Sequence, residues 1–162
     1  MAERRVTDGL VGCPACQREY PIVNGVVRFG TRPAVPPVPA LPNPVDIIAL
    51  LGITTPGGCA VFIGSGTEAA RAFQEMVDGV HCIAVNAEAP GCSSLESASA
   101  IPLRDAMARG VVLGGEYAGW AAEAVRILLP GLRIVTLGGK APIAGLGDVV
   151  QGEGMMVGRK VT

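Results

Sequence analysis

The stretch VFIGSGTEAARAF, Val61 to Phe73, holds the residues whose types and spacing come nearest to ligand-binding chemistry. An apolar run ends in Gly64-Ser65-Gly66, and an amphipathic segment follows at once. Glycines at such a junction let backbone amides approach a nucleotide, and the helix that follows adds unpaired donors at its N-terminus. Where that pattern keeps a further glycine, this chain has Thr67 and then Glu68. Ser65 and Glu68 also fit a capping box, with Ser65 capping the helix and Glu68 reaching back to the Ser65 amide. The loop would then satisfy its own donors. Asn86, closing a second apolar run, could hydrogen-bond a ligand hydroxyl. Cys13 and Cys16, in CPAC, offer two thiols where a structural zinc needs four ligands. Cys59, Cys82 and Cys92 lie elsewhere in the chain, so a zinc would be shared between two chains sooner than held within one. A metal-free knuckle is the favoured reading of the pair, and a redox couple is a further one. His81, the only histidine, reads as structural rather than as a general base.

The elements that must position these residues follow from periodicity and punctuation. In residues 1–30, Asn24-Gly25 sits between two β-prone runs and accepts the positive φ values of a type I′ turn, which predicts a hairpin. Residues 31–44 include six prolines between positions 33 and 44, which predicts an extended, semi-rigid linker. Residues 45–162 alternate strands and helices. Asn43-Pro44 reads as N-cap and first residue of a helix stopped by Gly52. CAVFIG (59–64) and VHCIAVN (80–86) read as strands buried on both faces, with a helix between them, the unit of a parallel sheet. A third strand is expected near Ile101, and another in GVVLGG (110–115). EYAGWAAEAVRILL reads as a helix with Trp120, Ala121, Ala124, Val125 and Leu128 inward, ended by Pro130-Gly131. LRIVTLGG is a strand, and DVVQGEGMMVGRK a hairpin turning at Gly152 to Gly154.

Composition narrows the function classes. A net charge of −1 and a pI near 5.8 argue against a polyanion-binding role. No stretch is long and apolar enough for a membrane span, and the N-terminus lacks a secretory core, so a cytoplasmic location is the default expectation. Five cysteines without framework spacing fit a reducing compartment. Charged residues are 17% of the chain, against about 25% in typical domains, and mean hydropathy is +0.44. Small residues account for much of this. A surface covered by a partner would also account for it.

Four strings resemble class I S-adenosylmethionine-dependent methyltransferases of the small-molecule type. AVFIGSGT is similar to their first motif, which reads like VLDLGCGTG. IPLRDAMARGVVL (101–113) is similar to an LPFPDGSFDAVVL-like segment, AAEAVRILLPGLRIVTLG (121–138) to an EAARVLRPGGRLVVLG-like helix and strand, and EGMMVGRK to their last strand. The resemblance covers roughly residues 45–162. It implies an α/β fold, a truncated Rossmann-like and mostly parallel sheet with a C-terminal antiparallel hairpin, beside the small N-terminal hairpin and knuckle unit. It also implies a cofactor site at Gly64, Ser65, Gly66 and Asn86, with Asp105 flanking the adenine. Departures stand beside it: Phe62 takes the place of the first motif's acid, Glu68 of its last glycine, Asn86 of the ribose-binding acid. The span from Asn86 to Ile101 is too short for the family's usual helix. LVGCPACQREYPIVNGVVRF resembles the second half of zinc-ribbon-like proteins that stabilise certain methyltransferases; their first cysteine pair is missing here.

Three readings remain. In the first, the chain is a non-catalytic pseudoenzyme with no cofactor, a structural or adaptor subunit of a larger protein assembly, its cleft closed by Glu68 and Phe62. Association with a membrane would then come only through a partner. In the second, it is an active methyltransferase with an atypical cofactor loop. In the third, it is a metal- or redox-responsive regulator built on Cys13 and Cys16.

Overall fold

CAVFI forms a strand buried along its whole length, Cys59–Ile63. Its β-branched and aromatic side chains alternate between two apolar layers, so both faces of the sheet must be covered. The structure is a computed structural model; it describes residues 5–36, 38, 40–138 and 142–162, so Pro37 and Pro39 of the linker, Gly139 of the expected LRIVTLGG strand and the first four residues of the N-terminal unit lie outside it.

In chain order the elements are β1 (Gly9–Gly12), β2 (Glu19–Val23), β3 (Val26–Arg28), α1 (Pro44–Leu51), β4 (Cys59–Ile63), α2 (Ala70–Met76), β5 (His81–Val85), β6 (Ser93–Glu96), β7 (Ala108–Leu113), α3 (Ala121–Ile127), β8 (Leu128–Leu137), β9 (Leu146–Gly152) and β10 (Met155–Lys160). They build one sheet in the order β1-β2-β3-β6-β5-β4-β7-β8-β10-β9. The six strands from β3 to β8 in that order run parallel, and antiparallel pairs close each side. This is the expected α/β class, with the expected C-terminal hairpin.

Ala60 and Phe62 face one core layer with α1 and α2, while Val61 and Ile63 face the other with α3. Phe62 is fully buried, its ring 5.5 Å from that of Phe73. Local signals act as expected in several places. Asn43 caps α1 by accepting from the Val45 amide at 3.0 Å, and Gly52 ends it at φ 67°. Asn24 and Gly25 both take positive φ between Val23 and Val26, as a type I′ turn requires. The hairpin does more than stand beside the α/β part: β3 pairs in parallel with β6, so the N-terminal strands extend the same sheet.

Two expectations need correction. The third strand is β6, Ser93–Glu96, and not the region of Ile101. Ser93, Ser94 and Glu96 hide a strand whose place comes from backbone pairing with β5 and β3 on its two sides. Ile101 is a buried loop residue, its amide donating to Glu123 at 2.9 Å. The α3 helix also stops earlier than Pro130, at Ile127, and Pro130-Gly131 fall inside β8. The β7–β8 register shifts there, giving proline and a positive-φ glycine an irregularity that needs no ladder hydrogen bond. Among the described residues no helix is long and apolar enough to cross a membrane.

Candidate functional site

From β4 the chain moves outward through β5 to β6, then returns to the other side of β4 as β7 and β8. The loops after β4 and β7 therefore diverge at their C-terminal ends, and a crevice opens between them. Open parallel sheets bind ligands at this topological switch point. Gly64, Ser65 and Gly66 sit here, in a short 3-10 turn (Gly64–Ala69) that leads into α2. Gly64 has φ 57°, and a Cβ on Gly66 would lie 2.6 Å from the Val112 carbonyl oxygen. The missing side chains let the β4 loop close onto the end of β7, where the Gly114 amide donates to the Ile63 carbonyl at 2.9 Å.

The capping box does not form. Glu68 is exposed, and the Ser65 amide donates instead to Glu116, which follows β7. The Ser65 hydroxyl donates to the second Glu116 oxygen at 2.6 Å. A charged acceptor held on the neighbouring strand end gives a stronger bond than a solvated one on the same turn. Thr67, buried, closes the turn by donating to the Gly64 carbonyl at 2.8 Å.

Asn86 ends β5 at φ 57° and is 4% exposed. Its side-chain amide donates to the Ser97 carbonyl at 3.0 Å and its oxygen accepts from the Ser97 amide at 2.8 Å. That two-point clamp ties the ends of β5 and β6, and one lone pair of the amide oxygen remains for another donor. Arg32, from the linker, donates to the Asn86 carbonyl at 3.3 Å. Tyr117 completes the wall, and burial raises its phenol above the usual range against a lowering hydrogen bond with Asn86.

These residues enclose an open cleft of about 440 Å³ lined by Arg32, Gly64, Ser65, Asn86, Glu116 and Tyr117, among others. A second lobe of about 480 Å³ shares Glu116 and is walled by Val38, Leu41, Leu137 and Gly138, the linker forming one side. A slightly larger hollow, about 530 Å³, lies beside β8, β9 and β10 at Arg133 and Met155. It is away from the switch point of the sheet, so the two lobes are the better candidates.

Of the residues singled out from sequence, Gly64, Ser65 and Asn86 converge on the cleft, while Gly66 packs against the Val112 backbone beside it. Asp105 does not join them. It precedes β7, so it lies at the other edge of the sheet, a strand of six residues or about 20 Å away, where it pairs with Arg126 at 2.6 Å. Glu116, Tyr117 and Arg32 were missed. The only sequence signal for Glu116 was its place directly after a glycine pair at a strand end. Cys13 and Cys16 flank the β1–β2 turn, where hydrogen bonds with Cys16 hold the Cys13 thiol below its ordinary range. Among the described residues no group of three metal-ligating side chains occurs. His81 is at the N-terminal end of β5, 2.9 Å from the Ser93 hydroxyl.

No family model matches the chain, and no curated protein does. Solved structures do. A protein from Methanococcus maripaludis described as a candidate S-adenosyl-L-methionine-dependent methyltransferase matches with a TM-score of 0.57 at 17% identity, over 74% of this chain and 84% of that one. The fold is that of the methyltransferases. A geranyl diphosphate methyltransferase solved with SAM matches at 17% identity with a TM-score of 0.49, over 58% of this chain and 47% of its own. A candidate methyltransferase in complex with the Haloferax volcanii Trm112 methyltransferase activator matches at 18% identity and 0.46, over 57% of this chain and 49% of that one. The chain thus spans about half the length of these last two.

The expectation of a non-enzyme is overturned by the first of these matches, a fold that points to an enzyme. Its structural basis fails as well. Glu68 is exposed and Phe62 is in the core beneath the sheet, so neither closes the cleft.

Proposed function

We propose that this chain is an S-adenosylmethionine-dependent methyltransferase that takes its cofactor in the lobe over Gly64–Gly66 and a small, largely apolar acceptor in the lobe beside it. The observation that carries the reading is the convergence of the glycine loop, Asn86, Tyr117 and Glu116 on a cleft at the switch point of the sheet. The residues fit the cofactor. Gly64 and Ser65 line the lobe, the Asn86 side-chain oxygen keeps a lone pair for a ribose hydroxyl, and the Tyr117 ring offers an apolar wall. When bound, the cofactor supplies an electrophilic methyl group on a sulfonium. The chain's part is to hold donor and acceptor in line and to exclude water. Val38, Leu41 and Leu137 supply the apolar wall for the acceptor, and the linker covers it.

A protein partner belongs to the same reading. β9 is the last strand of the sheet, with its outer backbone edge unpaired among the described residues, and its Val149 and Val150 side chains are exposed, 44% and 69%. Such edges are normally covered.

Thermal unfolding with S-adenosylhomocysteine tests the cofactor assignment. Ligand at about a hundred times its Kd raises stability by about 2.7 kcal/mol, so the melting temperature should climb by several degrees. An unchanged melting curve at millimolar ligand, with no methyl label transferred to any small acceptor, would overturn it.

A further inference from the structure

Resting on that assignment, we propose that Glu116 and Arg32 hold the amino-acid end of the cofactor, Glu116 taking its ammonium and Arg32 its carboxylate. β4 contributes no acid to the loop, because Phe62 points into the core. Glu116 brings one from the far side of the crevice. Its carboxylate is held by the amide and hydroxyl of Ser65. A carboxylate has about four lone-pair sites, so two stay available to a cationic ligand in either lobe, both of which Glu116 lines.

Arg32 is the one cation among the described residues lining the cofactor lobe. Among the described residues its one hydrogen bond goes to the Asn86 carbonyl, which leaves other N–H donors of the five for a ligand. Pro33 follows it, and a residue before proline is confined to extended backbone, which fixes the direction in which the Arg32 side chain leaves the chain. Charge matches as well. The lobe carries Glu116, Glu68 at its rim and Arg32, a net −1. S-adenosylmethionine carries a sulfonium, an ammonium and a carboxylate, a net +1. Reversing the two ends would bring like charges together.

Calorimetry with two ligands tests this. S-adenosylhomocysteine has the amino-acid end, and 5′-methylthioadenosine lacks it. Glu116→Gln should weaken S-adenosylhomocysteine roughly 10- to 100-fold, the range of a charge-assisted hydrogen bond, and leave 5′-methylthioadenosine within about twofold. Arg32→Gln, on the exposed linker, should do the same and carries no risk to folding. If Glu116→Gln binds S-adenosylhomocysteine equally or more tightly, Glu116 is a plug and the inference fails. If Arg32→Gln leaves both ligands unchanged, the orientation fails. If the unmodified chain binds neither ligand, the cofactor assignment itself falls.

Discussion

The two edges of the parallel sheet each carry a carboxylate–guanidinium system, and they are built differently. At the N-terminal edge, Arg126 donates to Glu123, Asp105 and the carbonyls of Ile101 and Leu103, with every contact between 2.6 and 3.0 Å. That guanidinium is fully used. At the C-terminal edge, among the described residues, Ser65 alone holds Glu116 and one backbone oxygen holds Arg32. Saturated polar groups fasten the loops before β7 to α3, whereas unsaturated ones face a cleft. One edge uses its charges to stabilise the fold, and the other keeps its charges open to the cleft.

The largest expected effect comes from breaking the saturated edge. Arg126→Ala takes the partner from the Leu103 carbonyl and leaves the Ile101 carbonyl and Glu123 with one backbone amide each, at a cost of about 2–3 kcal/mol. Chemical denaturation should show that loss while the surviving folded fraction binds S-adenosylhomocysteine as before. Gly66→Ala attacks the other edge. Its Cβ would press on the Val112 carbonyl at 2.6 Å, costing about 1–3 kcal/mol in strain and at least tenfold in ligand affinity by calorimetry. A change in affinity for Arg126→Ala, or none for Gly66→Ala, would erase the contrast.

Acid should weaken the saturated edge next. Arg126 holds the Glu123 carboxyl below its ordinary range, with its hydrogen bond the leading cause. A lowered folded pKa means that the stabilisation is complete above the unfolded value, about 4.3, and is lost as pH falls through the lower folded one. Stability measured from pH 6 down to pH 3 should therefore drop more steeply in the natural chain than in Glu123→Gln. The smallest effect belongs to Asp105→Asn. Asp105 is 77% exposed, so its pair with Arg126 is worth under about 1 kcal/mol, and ligand affinity should stay constant. A loss of affinity there would return Asp105 to the cofactor site.

Much of the scaffold was legible because its signals are short-range. The apolar run at β4, the Asn43 cap and the Asn24-Gly25 turn depend on a few neighbouring residues and on backbone sterics. β6 was not legible, since Ser93, Ser94 and Glu96 carry no apolar alternation and the strand exists through its neighbours. The acid at the glycine loop was misassigned for a related reason. Glu68 is three residues from Ser65 and suits a local rule, while the bond is made by Glu116, 51 positions away.

The sequence alone determined the strand–helix–strand unit of β4, α2 and β5, the C-terminal hairpin, the apolar layers on either side of β4, and the presence of a glycine loop after it. Tertiary structure decided that Glu116 serves that loop, that Asn86 clamps Ser97, that Asp105 stands at the opposite edge, and that the N-terminal hairpin completes the same sheet. The physical reason is reach. Periodicity and turn chemistry act over a few residues, but which side chains meet at a strand end depends on where the chain crosses back over the sheet.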